Sequence, residues 1–332
     1  MFCLPSGLAH KLTHTDSHLG LRQRIALSLP ENRGMMLRCG EAADPRRLRS
    51  AAGMPAVSDY LDRPAGFMPP GLAQTYDETS LWGARFGALL FDHLEIRPRV
   101  KGLDVGSGTG FPLIELACVH GSSAHFTGVD IWPDGLARAR AKLELHGLSN
   151  IDIVEADAAS MPFPDGQFDL ITSNIGVNNF EKAQAALREC RRVAKKGARI
   201  VLTTNTRGHF AAAYALLDAV LAELALEAVR PALRHEEEHR RERQALASLL
   251  AECGFSVSRH FERSFEMRFA DGSAMLRHPL VKWFLDGWRN AIGAELERKV
   301  FATAEARLND AAARDGGISM SVPMLYLEAV AI

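Results

Sequence analysis

The chain has 332 residues, 47% hydrophobic and 24% charged, the proportions of a globular protein rather than a disordered or fibrous one. A formal net charge of −1 excludes a broad basic surface and argues against nucleic acid as a partner. No apolar run reaches the length of a membrane span, and five scattered cysteines without a CxxC pair or zinc-type spacing read as reduced thiols of a cytoplasmic protein without a metal site.

Residues 1–50 show no sustained period. Their arginines, from Arg22 to Arg49, suggest a transit peptide, but Asp16, Glu31, Glu41 and Asp44 interrupt it, and transit peptides are poor in acids. Residues 1–55 are therefore expected to be a disordered N-terminal extension. Residues 56–98 are expected to form a helical cap. Within it Leu81, Trp82, Phe86, Leu89, Leu90 and Leu94 share one helical face, with Thr79 or Ser80 as the cap.

Next comes the most informative stretch. The apolar run Val100–Val105 reads as a strand, Gly106-Ser107-Gly108-Thr109-Gly110 as a glycine turn, and Phe111–Ala117 as a helix. Glycine brings the backbone close to a ligand with no side chain between them. A dinucleotide fingerprint needs a third glycine where Phe111 stands, and a phosphate loop needs a Gly-Lys-Ser/Thr that does not follow. The corner therefore suits a nucleoside-like ligand without a pyrophosphate, which disfavours a nicotinamide oxidoreductase. A second strand, Ala124 to Val129, ends at Asp130, whose carboxylate can accept two hydrogen bonds from a ribose diol. A third, Ile151–Val154, precedes Asp157. Phe168–Ser173 is the fourth, a helix from Leu187 runs to a basic end closed by Gly197, and Ala198–Thr204 is the fifth strand.

The series DVGSGTG, VD, DA, FPDGQFDLI and LRECRRVAKKGARIVLT resembles the class I S-adenosylmethionine-dependent methyltransferases, most of all the ubiquinone and menaquinone biosynthesis C-methyltransferase group. The resemblance is clear over residues 72–206. It implies an α/β, Rossmann-like doubly wound sheet of seven strands, mostly parallel with an antiparallel last strand, with helices on both faces. It also implies S-adenosyl-L-methionine as cofactor and transfer of its methyl group to a small-molecule acceptor by in-line attack. Placed on this chain, Gly106, Ser107, Gly108 and Gly110 would pass under the methionine part, and Asp104 would orient that loop or hold the amino group through water. Asp130 would bind the ribose, with Ile131 packing on the adenine. Asp157 and the Ala158 amide would bond the adenine edge, and Asn174 would lie under the methionine end. The helix preceding the first strand lies over the cofactor in similar enzymes, which brings Tyr76 and Trp82 to the ligand. One departure matters: Asn174-Ile175-Gly176-Val177 replaces the Asn/Asp-Pro-Pro-Tyr/Phe of the DNA and protein amide N-methyltransferases.

Beyond Thr204, Phe210 to Ala228 repeat at helical spacing, with Pro231 as the stop. The charge run Arg234–Arg243 reads as a solvated helix paired Glu236–Arg240 and Glu237–Arg241. Residues 99–263 and 318–332 form the expected cofactor-binding core. Residues 264–317 are expected to form a helical insertion, which the resemblance implies covers the acceptor site: a helix over Met275–Ile292, a second over Ala294–Ala313, then a last strand from Val322. Its aromatic and methionine side chains suit an apolar or aromatic acceptor. If the acceptor must lose a proton, His278 and His209 are the candidate bases, and Asn178 or Asn179 would orient an acceptor oxygen. The remaining alternative is a non-catalytic cofactor-binding protein.

Overall fold

The computed structural model describes residues 59–62 and 71–332. The expected extension over residues 1–55 lies outside the described residues, as do the side chains of Thr79 and Ser80, the expected caps, and that of Trp283. A 3₁₀ turn (Asp59–Asp62) comes first, then α1 (Leu72–Thr75) and a second 3₁₀ turn (Tyr76–Thr79), followed by α2 (Ser80–His93). Trp82, Phe86, Leu89, Leu90 and Leu94 are buried as their spacing predicts, whereas Leu81 is 62% exposed and falls off that face.

Strands and helices then alternate: β1 (Lys101–Val105), α3 (Leu113–His120), β2 (His125–Asp130), α4 (Pro133–His146), β3 (Ile151–Glu155), β4 (Phe168–Asn174), α5 (Ala183–Val193), β5 (Ala194–Asn205). This regular alternation is what a parallel sheet needs. The second half brings α6 (Ala211–Glu223), α7 (Arg230–Glu238), α8 (Arg243–Glu252), β6 (Phe255–Phe269), α9 (Gly272–Arg277), α10 (Val281–Ile292), α11 (Ala294–Asp315) and β7 (Ile318–Ala331). The sheet has seven strands in the order β3-β2-β1-β4-β5-β7-β6. β1 to β5 pair in parallel, and β7 lies antiparallel to both β5 and β6. The chain leaves β1 toward one edge and returns at β4 toward the other. Ligands of such sheets sit in the crevice beyond the strand ends at that switch point.

Several boundaries differ from the sequence reading. The helix of Leu187 ends at Val193, not at Gly197, because Ala194 already pairs with Phe168; Gly197, at φ +77°, lies inside β5 near the register shift between Phe168 and Leu170. Pro231 does not stop a helix but sits in the first turn of α7, where its missing N–H costs nothing. α7 ends at Glu238, so Arg240 and Arg241 lie beyond its last turn, though Glu236 still acts electrostatically on Arg240. The single helix expected over Met275–Ile292 is broken between α9 and α10 at His278-Pro279, since the residue before a proline avoids the helical region. β6 runs unbroken through the expected domain boundary at 263/264.

β6 and β7 are long. Asn205, the last residue of β5, pairs with Met324, yet the β6–β7 ladder continues to Phe269 and Ile318. At the rise of a strand, this two-stranded arm extends about 20 Å past the end of β5. Its buried Phe265, Met267, Met320 and Val322 join one apolar cluster with Met275, Leu285, Trp288 and Phe301 of the insertion and with Trp82 and Phe86 of α2. The insertion is thus held over the same end of the sheet as the glycine turn.

Candidate functional site

Each glycine of the turn has positive φ: Gly106 +80°, Gly108 +50°, Gly110 +100°. An L side chain would be strained at all three. The amides of Gly106 and Ser107 donate to Val129 O at 2.8 and 3.1 Å, folding the loop back onto β2. Gly128 makes that approach feasible. A Cβ there would stand 2.4 Å from Leu113 Cδ2 and 2.9 Å from Ser107 Oγ. Asp130 closes the unit: Oδ2 accepts from Gly108 N–H at 2.8 Å and Oδ1 from Trp132 N–H at 2.9 Å. Burial raises its pKa above the usual carboxylate range, opposed by these backbone bonds. Each carboxylate oxygen keeps a further lone pair for a hydroxyl donor.

The segment before α2 is clasped onto this loop. Asp77 accepts from Thr109 Oγ1 at 2.8 Å and pairs with Lys142 Nζ at 2.8 Å, and Lys142 also donates to Thr109 O at 2.7 Å. Tyr76 then lies edge-on to Trp132, with ring centroids 5.4 Å apart. Its phenol pKa is pushed up to about 12 by burial, then by the charges of Asp130 and Asp77. The sequence reading missed Asp77, Thr109 and Lys142, because no local pattern links three residues so far apart in the chain.

Beside Asp130, Ile131 is 64% exposed. Asp157, exposed beyond the end of β3, accepts from Ala159 N–H at 2.8 Å in an Asx turn, with Ala158 half-buried inside it. β3 and β2 are neighbours, and Ala156 N–H donates to Asp130 O at 3.0 Å, so both acids flank one edge of the crevice. Asp104 is different. It pairs with Gly128 and Thr172 inside the sheet, and its Oδ1 accepts from Thr172 Oγ1 at 2.7 Å. Oδ2 is buried without a partner, and burial pushes the carboxyl pKa up to about 7. It braces β4 rather than bonding the loop.

At the tip of β4, Asn174 accepts from Thr203 Oγ1 at 2.6 Å and donates to Gly83 O at 3.5 Å. Ile175 follows at φ +65°, a strained conformation for a β-branched residue and one that clusters at functional sites. Asn178 is buried, and its amide nitrogen donates to Thr204 Oγ1 at 2.6 Å and Asn205 O at 2.9 Å, tying the β4 loop to the end of β5. The neighbouring Asn179 is exposed and donates to Ile175 O at 3.3 Å. His209 is 1% exposed, with both ring nitrogens unpartnered and its centroid 5.2 Å from Phe284, 5.7 Å from Phe210 and 5.9 Å from Tyr214. Burial first, then the charges of Arg240 and His239, drive its pKa down to about 3. Trp82 stands 5.1 Å from Phe284 and 6.3 Å from Phe210, in the same aromatic cluster. His278 is elsewhere. Its Nδ1 accepts from Leu280 N–H at 3.2 Å and its ring packs on Phe269, the residue paired with Ile318 at the far end of the arm. The structure thus brings Asn178 and His209 together at the ends of β4 and β5, and leaves His278 apart from them. Among the described residues no three His, Cys, Asp or Glu side chains group to hold a metal, and no helix is long and apolar enough to cross a membrane.

Residues 103–202 match the family model of a methyltransferase domain. Over 107 residues the chain is 36% identical to the ubiquinone/menaquinone biosynthesis C-methyltransferase UbiE of Shewanella oneidensis, covering 32% of this chain and 43% of that protein. It is 40% identical over 109 residues to the demethylmenaquinone methyltransferase of Thermus thermophilus, covering 33% and 48%. The chain therefore spans less than half the length of these curated relatives. The solved YcgJ protein of Bacillus subtilis shares the fold at 18% identity, with a TM-score of 0.51 over 75% of this chain and 98% of that one. Sheet order, glycine turn and family match together define a class I S-adenosylmethionine-dependent methyltransferase fold. Over part of its length the chain is related to the menaquinone and ubiquinone methyltransferases.

Proposed function

We propose that this protein binds S-adenosylmethionine beyond the ends of β1 and β2 and transfers its methyl group to a small apolar or aromatic acceptor held under the insertion. The observation that carries the reading is Asp130, whose two carboxylate oxygens are braced by the glycine loop and by Trp132 N–H. That donor set fits a nucleoside: a carboxylate for a ribose diol, a loop free of side chains, the exposed Ile131 for a purine face and Asp157 with Ala158 for its edge. Gly106, Ser107, Gly108 and Gly110 would line the methionine portion, with Asn174 beneath its end. Tyr76, clasped above Asp130 through Asp77 and Lys142, would exclude water from the ribose. When bound, the cofactor supplies an electrophilic methyl group on a sulfonium, whose departure leaves a neutral thioether.

The protein's own task is then alignment of the acceptor, an effect worth about 7–11 kcal/mol of barrier. A histidine whose pKa lies near 3 is a poor base at neutral pH. In this reading His209 is a neutral hydrogen-bonding group in an aromatic wall and not the base. The test is a screen of apolar and aromatic acceptors with methyl-labelled S-adenosylmethionine. Label should move to at least one of them, at a rate that falls at least ~100-fold in Asp130→Ala. Incorporation that is indifferent to Asp130, or no transfer of label to any of the acceptors, would count against the proposal.

A further inference from the structure

The end of β5 carries an uncommon set of buried polar atoms with nothing to bond. Asn205 is 2% exposed and its Nδ2 has no partner, and neither ring nitrogen of the fully buried His209 has one. Arg240, just past α7, is half-buried, and its Nε is also without a partner. These groups share one neighbourhood. Asn178 bonds Asn205 on one side, and its carbonyl stands 3.4 Å from His239 Nε2, adjacent to Arg240, on the other. The remaining charged neighbour is Glu236, which packs against Gly287 of α10. Glu236 acts on the Arg240 cation, but a buried polar atom without a partner still costs free energy, so the unpartnered Arg240 Nε, Asn205 Nδ2 and His209 nitrogens call for a further acceptor. The walls are apolar: His209 faces Phe210, Tyr214 and Phe284, and Phe284 in turn faces Trp82, next in the chain to Gly83, whose carbonyl meets Asn174.

We infer that Arg240, Asn205 and His209 form a subsite for the carboxylate of an aromatic or other planar apolar acid, whose body lies against Phe284 and Trp82. The choice of a carboxylate follows from donor geometry. A guanidinium offers paired N–H donors that match two carboxylate oxygens, and the Asn205 amide and one His209 tautomer add neutral donors. A neutral phenol presents a single oxygen without charge, which matches the paired donors less well. The half-exposed Phe284 side chain, on α10 just after the Pro279 break, is the wall that must turn to admit the ring.

This inference rests on the proposed methyltransferase reading only for the role of acceptor; the binding itself does not depend on it. Calorimetric titration with 2-naphthoate, 2-naphthamide and 2-naphthol, each with and without S-adenosylhomocysteine, tests it. Naphthoate should bind, and the isosteric amide and the naphthol should each bind at least ~10-fold more weakly. Arg240→Met should remove the preference for the acid, and Arg240→Lys should restore part of it, with S-adenosylhomocysteine affinity unchanged in both. Equal affinity for acid and amide in the wild type, or no binding of naphthoate, overturns the inference without any variant having to fold. Naphthoate binding without S-adenosylhomocysteine binding would refute the cofactor reading and leave the acid subsite standing.

Discussion

Replacing Asp130 by asparagine probes the proposed cofactor cradle with the smallest change in shape. The wild-type carboxylate accepts from Gly108 N–H at 2.8 Å and from Trp132 N–H at 2.9 Å. An amide offers one oxygen in place of two, so one of these backbone donors faces an NH₂ group. The loss should be about 1–3 kcal/mol of folding free energy and a melting temperature lower by a few degrees. The ligand side is separate. A ribose diol on an ionised carboxylate makes charge-assisted bonds worth about 1.5–3 kcal/mol each. Removing one of them raises Kd roughly 10- to 150-fold. Isothermal titration with S-adenosylhomocysteine, at a temperature where the variant is fully folded, measures that term alone. A folded Asp130→Asn protein with a Kd within about threefold of the wild type would refute the assignment of the ribose to this carboxylate.

Three further outcomes are expected. Asp104 has a folded pKa of about 7 against an ordinary value of 3.8, so the folded state holds a proton that the unfolded chain releases; its contribution weakens as pH rises from about 4 to 7. Asp104→Asn should abolish that slope and leave the variant more stable than the wild type at pH 8, by a few kcal/mol at most; parallel urea profiles at pH 5 and pH 8 would contradict this. Gly128→Ala puts a Cβ 2.4 Å from Leu113 and 2.9 Å from Ser107, so it should cost about 1–3 kcal/mol in thermal unfolding and weaken S-adenosylhomocysteine binding about tenfold as the loop shifts. Asp77→Asn removes the charge paired with Lys142 at 2.8 Å; amide exchange over residues 72–79 should quicken while that of β1 and β2 stays as it is, and unchanged exchange at Tyr76 would mean that the clasp holds nothing.

The core of this fold was legible because its signals are local. A strand, a three-glycine turn and a helix sit within one stretch, and Asp130 and Asp157 each follow an apolar run, so spacing placed each at a strand end, and the family resemblance implied that the two ends share a crevice. What escaped was made by distant residues or decided by competition. The Asp77–Thr109–Lys142 clasp joins three elements and has no motif. Gly128 looks like any glycine in a strand until Ser107 is seen lying on it. The helix expected to reach Gly197 lost its end to β5, where pairing of Ala194 with Phe168 outweighed helix propensity. His209 and His278 looked alike in the sequence as lone histidines. Only tertiary packing buries the first among aromatic rings and sets the second on Phe269, out along the arm. The charge run from Arg234 promised solvated i,i+4 pairs, but the early end of α7 turned Arg240 inward instead.

The most direct measurement is a crystal structure with S-adenosylhomocysteine bound. The account requires both ribose hydroxyls on the Asp130 carboxylate, the purine between Ile131 and the Asp157–Ala158 turn, and the homocysteine chain running over Gly106 and Gly108 toward Asn174. Density for the nucleoside at any other place, or a ribose that leaves Asp130 uncontacted, would contradict it.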